Sequence, residues 1–232
     1  SIIVLLLLSA GAQAEAPKGR EKVYTINIAS IIPTGSTWMD IMYDYAVIVN
    51  KYSGGRVKFI WHAGGVMGDE PEMVKKLKQG QIEGAAFSGL GLGSLVPEVR
   101  VFELPVLFKN YVEVDYVLRK LDKTIRKLFE DRGYILLGWA EQGFLYLFSN
   151  KPIHKLDDLT GIKMWIWAGD NFAKTIFESL GYLTAIPIPV PDVLASLQTG
   201  KIDAFYNSPM GTVAFQWYPK AKYMLNLPIV YA

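Results

Sequence analysis

Two stretches of this 232-residue chain repeat one design. "PEMVKKLKQGQIEGAAFS" and "PDVLASLQTGKIDAFYNS" each open on a proline followed by an acidic residue. Each continues with apolar positions spaced for one face of a helix, stops at a glycine, and resumes as a short run of β-formers ending at a serine. Pro71 and Pro191 open the copies, Gly80 and Gly200 close the helices, and Ser88 and Ser208 end the strands. The copies share few identical residues, so the likeness is of design and not identity. A helix followed by a buried strand needs a parallel neighbour and a crossover. Two such units far apart in the sequence predict two lobes of related architecture.

The remaining segments fit that frame. "VYTINIAS" (23–30) and "RVKFIWHA" read as strands, with a helix from about Trp38 to Lys51 between them, capped by Ser36 or Thr37. With the first repeat unit the order is β-α-β-α-β, which implies parallel pairing. A helix is predicted from about Val112 to Asp131. The apolar stretch "YILLGWAEQGFLYLFSN" reads as central strand. "IKMWIWA" reads as a strand leading into a helix capped by Asp170 or Asn171 and ended by Gly181, and "TAIPIPV" as a further short strand. The expected fold is α/β and two-lobed, with mixed, mostly parallel sheets. Lobe I is expected over 21–142 and lobe II over 143–232.

The N-terminus reads as a targeting segment. An apolar run from Ile2 to Leu8 precedes Ala12-Gln13-Ala14, the h-region and small-residue cleavage site of a secretory signal peptide clipped at its start. Residues 1–14 are expected to be removed on export to the periplasm. The alternative is a buried N-terminal strand. The run is too short for a permanent membrane helix. There is no cysteine, which excludes disulfides, thiolate catalysis and cysteine-based zinc sites. The formal charge is +2 with scattered Lys and Arg, so no nucleic-acid footprint is visible. Aromatic residues make up 13% of the chain, a surplus that suits either a ligand wall or a large core.

Catalytic and metal chemistry lack their residues. The two histidines, His62 and His154, are far apart and have no metal-ligand spacing. Ser88 and Ser208 have no base near them, and "FSGLG" is not a nucleophile elbow. "GLGLGSL" lacks the spacing and the opening helix of a phosphate loop. No enzyme activity, cofactor or metal is therefore expected. Gly68-Asp69-Glu70 reads best as a helix cap.

In order and spacing, "PTGSTW", "SGGRVKFIWHAGGVMGDEPEMVKKLKQGQIEGAAFS", "FELPVLF", "LTGIKM" and "SLQTGKIDAFYNSP" resemble the solute-binding proteins of tripartite ATP-independent periplasmic (TRAP) transporters. The resemblance runs from Val23 to the last residue. It implies a receptor that closes two lobes around a small solute and delivers it to the membrane subunits of a TRAP permease. It also implies that the family's chain continues past this one, so that the C-terminal part of lobe II is missing here.

One departure bears on the solute. The family pattern Leu-x-Gly-x-Lys-x-Arg places a carboxylate-clamping arginine where this chain has Trp165. An indole offers one N–H and no charge, so it cannot replace a bidentate guanidinium. The loss would cost a carboxylate ligand roughly 2–5 kcal/mol. The expectation drawn is an apolar or aromatic solute in an interlobe cleft lined by Trp38, Ser88, Glu141, Phe144, Trp165, Trp167, Phe205 and Asn207. Trp165 and Trp167 share a strand face. Three other readings stay open: a carboxylate held by another anchor, a cation over the indoles near Glu141, and Trp165 as packing in a secreted interaction protein with an occluded cleft. Asn207 reads equally as a ligand-orienting amide or a structural one, and Glu141 as a hinge group or a ligand contact.

Overall fold

The computed structural model describes residues 3–6 and 22–232. Its contacts divide the chain into two units. An N-terminal unit takes the described residues through Val99 together with Leu118–Ala140. A C-terminal unit takes Arg100–Val117 together with Glu141–Ala232. Arg100–Val117, which a contiguous division at 142 assigns to the first lobe, is thus grouped with the second.

In the N-terminal unit β1 (Ile3–Leu6), β2 (Tyr24–Ser30), β3 (Val57–His62) and β4 (Gly84–Phe87) form one sheet in the order β1-β4-β2-β3. β2 runs parallel to both β3 and β4, as the crossover order requires. The crossovers are α1 (Thr37–Tyr52) and α2 (Glu70–Lys78). Ser36 caps α1 by accepting from the Met39 N–H, and Asp69 caps α2 by accepting from Glu70, with Pro71 in the first turn. β4 is fully buried, which explains its Gly-Ala-Ala-Phe sequence: small side chains admit helices on both faces. β1 pairs antiparallel with β4 and falls within the stretch read as leader. The expected cleavage site at Ala12–Ala14 lies outside the described residues.

β4 leads into α3 (Gly89–Leu95), a helix that the sequence reading left out because three of its seven residues are glycine. Its start is fixed by side chains. Ser88 is the N-cap, accepting from Leu90 at 3.3 Å. The buried Glu70 carboxylate accepts from the Ser88 N–H at 2.7 Å, the Ser88 hydroxyl at 2.9 Å and the Gly91 N–H at 2.7 Å. Gly91 is obligatory: a Cβ there would lie 2.2 Å from the Phe87 ring and 2.9 Å from Glu70 Oε2. α4 (Tyr111–Glu130) then passes from the C-terminal unit into the N-terminal one.

In the C-terminal unit, in chain order, the elements are β5 (Phe144–Ser149), β6 (Lys163–Trp167), α5 (Asn171–Ser179), β7 (Thr184–Ile188), α6 (Val193–Gln198), β8 (Ala204–Asn207), α7 (Pro209–Ala214), β9 (Tyr223–Met224) and β10 (Val230–Tyr231). The sheet order is β10-β5-β8-β6-β7, with β9 also on β5. β6 is parallel to β7 and β8, whereas β5 is antiparallel to β8, β9 and β10, so the sheet is mixed. The strand expected over 134–150 is confined to Phe144–Ser149. Gly143 interrupts it with a left-handed backbone at φ 95°, a conformation that a side chain disfavours. One face of β6 places Met164 and Ile166 in a core with Leu147, Ile162, Phe177 and Ala204.

The second repeat unit builds the same corner as the first. Ser208 caps α7 by accepting from Gly211 at 3.0 Å, and Asn207 Oδ1 accepts from the Ser208 N–H at 2.8 Å. A Cβ on Gly211 would lie 2.3 Å from that Oδ1. Gly91 and Gly211 both stand three residues after the capping serine, and each leaves room for a buried side-chain oxygen.

Burial pushes the Glu70 carboxyl up to about 8, with its hydrogen bonds to Ser88 and Gly91 pulling the other way. Above pH 4.5 the folded chain therefore holds a proton that the unfolded chain releases, and stability declines with rising pH until about pH 8. Thermal melts of the wild type should show Tm falling between pH 5 and 8. Glu70→Gln should start about 1–3 kcal/mol less stable, because its amide N–H₂ faces a backbone donor, and should show a flatter profile. Equal pH slopes in the two proteins would rule out Glu70 as the titrating group.

Candidate functional site

Trp165 occupies the position from which the solute was inferred, and its surroundings are those of a core residue. It is 3% exposed. Its indole N–H donates to the Ile188 carbonyl at 2.9 Å, at the last register pair of β6 and β7. Its ring stacks on Tyr206 at 5.0 Å between centroids and meets Trp217 edge-on at 5.2 Å. Trp217 in turn packs edge-on against Phe205 and tilts against Phe215. Both the π-face and the single polar atom of Trp165 are thus engaged inside the C-terminal unit. Trp167 lies on the same strand face, 6.0 Å from Trp165, and is half-buried.

The other sequence candidates separate. Phe205 is buried, stacked on Phe148 at 5.2 Å. Asn207 is buried too, and its Oδ1 accepts from Gln142 Nε2 at 2.8 Å as well as from Ser208, which assigns it to the corner. Phe144 is buried in an aromatic group with Tyr111 and Tyr231. Glu141 is exposed and accepts from the Tyr231 hydroxyl at 2.7 Å. Trp38 and Ser88 belong to the N-terminal unit, where Trp38 is buried in the first turn of α1 and Ser88 caps α3. Trp165, Trp167 and Phe205 therefore share one aromatic group through Trp217, while Asn207, Phe144 and Glu141 have other partners.

Beside this group lies a charge cluster that sequence reasoning missed. Arg100 closes Nη2 onto both oxygens of Asp170, at 3.0 and 2.9 Å, and Nε stands 3.0 Å from Glu103 Oε2. The guanidinium lies 4.7 Å from the Phe172 ring centre, a cation–π distance. Asp170 is also the N-cap of α5, accepting from Phe172 and Ala173 N–H groups at 3.1 Å. Burial lowers the Arg100 pKa, but the charges of Glu103 and Asp170 outweigh it and hold the guanidinium above its ordinary value. Burial also drives the neighbouring Tyr206 phenol far up, reinforced by Asp170 and Glu103, so it stays neutral. The available signal was a lone arginine in the apolar run "PEVRVFELPV".

Among the described residues no group of three or more His, Cys, Asp or Glu can hold a metal ion, and no helix is long and apolar enough to cross a membrane. His62 Nε2 lies 3.1 Å from Asn27 Oδ1, a structural contact between β2 and β3.

A mixed α/β chain with duplicated helix–strand corners, and a charged group beside an aromatic one, defines the class of periplasmic-binding-protein-like receptors. Residues 28–231 match the model of bacterial extracellular solute-binding proteins, family 7 (DctP), and the chain belongs to this family of TRAP periplasmic solute-binding proteins. It is 28% identical to the C4-dicarboxylate-binding periplasmic protein DctP of Rhodobacter capsulatus over 70% of this chain and 49% of that protein. The sugar acid binding protein DctPAm of Advenella mimigardefordensis in complex with galactonate is 28% identical, with TM-score 0.82 over 91% of this chain and 68% of that one. A TRAP periplasmic solute-binding protein of Sulfitobacter sp. NAS-14.1 with bound β-D-galacturonate is 26% identical, with TM-score 0.81 over 90% and 69%. The chain spans between a third and three fifths, 33–59%, of the length of curated relatives it matches.

A core role for Trp165 has a measurable consequence. Trp165→Ala should destabilise the protein by about 3–5 kcal/mol. Trp165→Arg should do at least as much harm, because it places an unpaired guanidinium where an indole was packed. Circular-dichroism melts measure both. A Tm for Trp165→Ala within about two degrees of wild type would mean that the ring lines open space.

Proposed function

We propose that this chain is the solute-recognising part of a periplasmic receptor for a carboxylate-bearing solute, which it passes to the membrane subunits of a TRAP-type permease. The observation that carries the reading is the closed environment of Trp165. An indole whose N–H is bonded to Ile188 and whose ring is stacked on Tyr206 has the contacts of packing more than those of an open apolar wall. This weakens the ground for an apolar solute. Similar proteins are described with galactonate, β-D-galacturonate and C4-dicarboxylates, all of them acids. The reading that fits is a carboxylate held by an anchor other than residue 165. Recognition then rests on charge-assisted hydrogen bonds, which are short and directional.

A panel measured by thermal shift and calorimetry tests this. Galactonate, galacturonate and succinate are compared with indole and phenol as uncharged aromatic probes. At about a hundredfold excess over its Kd, a true ligand should raise Tm by roughly 5–10 °C. At least one acid should do so and the aromatic probes should not. A response to indole or phenol alone would return the apolar reading to first place.

We also propose that residues 1–14 are a cleaved leader, as the Ile2–Leu8 run and Ala12-Gln13-Ala14 indicate. N-terminal sequencing of the protein recovered from the periplasm should begin at Glu15, and the processed chain should melt cooperatively without β1. A recovered chain that still carries Ile3–Leu6 would make that segment part of the fold.

A further inference from the structure

We propose that the outer flank of α1 is the interface of a symmetric dimer of this chain, formed by two copies of the helix packed antiparallel. This interface is independent of the solute. α1 buries little of its apolar content. Of its sixteen residues, Trp38, Met39 and Met42 are buried. Ile41, Tyr45, Ile48 and Tyr52 are 55%, 40%, 49% and 85% exposed. Steps of four, three and four residues align them in one stripe, which is the spacing of a helix–helix seam and not of scattered surface residues.

The stripe borders the edge of a sheet. The Tyr45 ring lies 6.0 Å from that of Phe59 on β3, and β3 ends the order β1-β4-β2-β3. Ile60 on the same edge strand is exposed as well. The four stripe residues leave about 500 Å² open to water, so two copies meeting on them would withdraw about 1,000 Å², the lower bound of a specific interface. A weak, closed dimer is what such an area supports.

Charge decides the direction of packing. Asp40 and Asp44 stand one turn apart in the N-terminal half of α1, and Lys51 stands in its last turn. All three are exposed, and among the described residues none has an ion pair. Asp40 and Lys51 also suit the helix dipole, but the apolar stripe beside them does not follow from it. Turned end for end about a point between Tyr45 and Ile48, a second α1 lays Ile41 against the partner's Tyr52 and Tyr45 against the partner's Ile48. Each level then matches one ring to one branched aliphatic chain. Lys51 falls between the levels of the partner's Asp40 and the partner's Asp44. In a parallel pair each aspartate would face its own copy. The charges therefore favour the antiparallel two-fold, which uses the same patch on both copies and closes at two.

Sedimentation equilibrium of the full chain between about 1 and 200 μM tests this. Wild type should fit a monomer–dimer equilibrium with Kd of roughly 1–50 μM and no larger species. Ile48→Lys should raise Kd at least about 30-fold. Lys51→Glu should raise it about three- to tenfold, and Asp40→Lys/Asp44→Lys/Lys51→Glu, which reverses every charge, should restore it. Circular-dichroism melts check that each variant is folded. The chain has no cysteine, so single introduced thiols report the direction. A short bis-maleimide should join Ile41→Cys to Tyr52→Cys in a mixture and should join neither variant to itself. A wild type that stays monomeric across that range overturns the proposal, whether the stripe is open or is covered by other chain of the same molecule. A dimer indifferent to Ile48→Lys overturns it too, as does Ile41→Cys joined to itself, which would mean parallel helices.

Discussion

A guanidinium withdrawn from water must be given its counter-charge, and the C-terminal unit is organised around that requirement. Arg100 enters from the short 3₁₀ segment Pro97–Glu103, well before the strands of its unit begin. Asp170, at the start of α5, meets it with both oxygens. Because the same carboxylate caps α5, the pairing fixes where that helix starts and so where β6 must end. Trp165 and Trp167 are placed by the strand, Phe172 by the helix turn under the guanidinium, and Tyr206 by β8 between the two groups. Removal of Arg100 alone would leave Asp170 buried and uncompensated, which typically costs about 3–5 kcal/mol.

The repeated corner gives the two units a common construction with different chemistry. After each buried strand a serine caps a short helix, and a glycine three residues later admits a side-chain oxygen. In one unit that oxygen belongs to Glu70, delivered from α2; in the other it belongs to Asn207, the last residue of β8. The shared need is to satisfy the first N–H groups of the helix. A carboxyl group in this place accepts three bonds, and because burial penalises its charge it keeps a proton until about pH 8. An amide avoids the penalty and accepts fewer bonds.

Local features were legible where one physical rule decided them. The parallel order of β2, β3 and β4, the caps at Ser36, Asp69 and Asp170, and the opposite facing of Met164 and Ile166 follow from periodicity and capping chemistry. The sequence misled where tertiary contacts overrode local preference. α3 forms despite Gly89, Gly91 and Gly93, since Ser88 and Glu70 hold its first turn and Phe87 occupies the space a side chain would need. The long apolar stretch before Phe144 is not strand, because Gly143 turns the backbone and apolar content alone carries no period. Arg100 escaped notice because its partners are close in space and, for Asp170, seventy positions away in the chain.

The exchange of arginine for tryptophan at 165 admits a different interpretation once the indole is seen to be bonded. A residue facing solute in a binding protein needs a polar group left available for the solute. The Ile188 carbonyl takes the one that Trp165 has, and Trp217 and Tyr206 take its ring. A family pattern can therefore identify a position without fixing its role, since replacing a charged side chain with an aromatic one lets the surrounding core close over it.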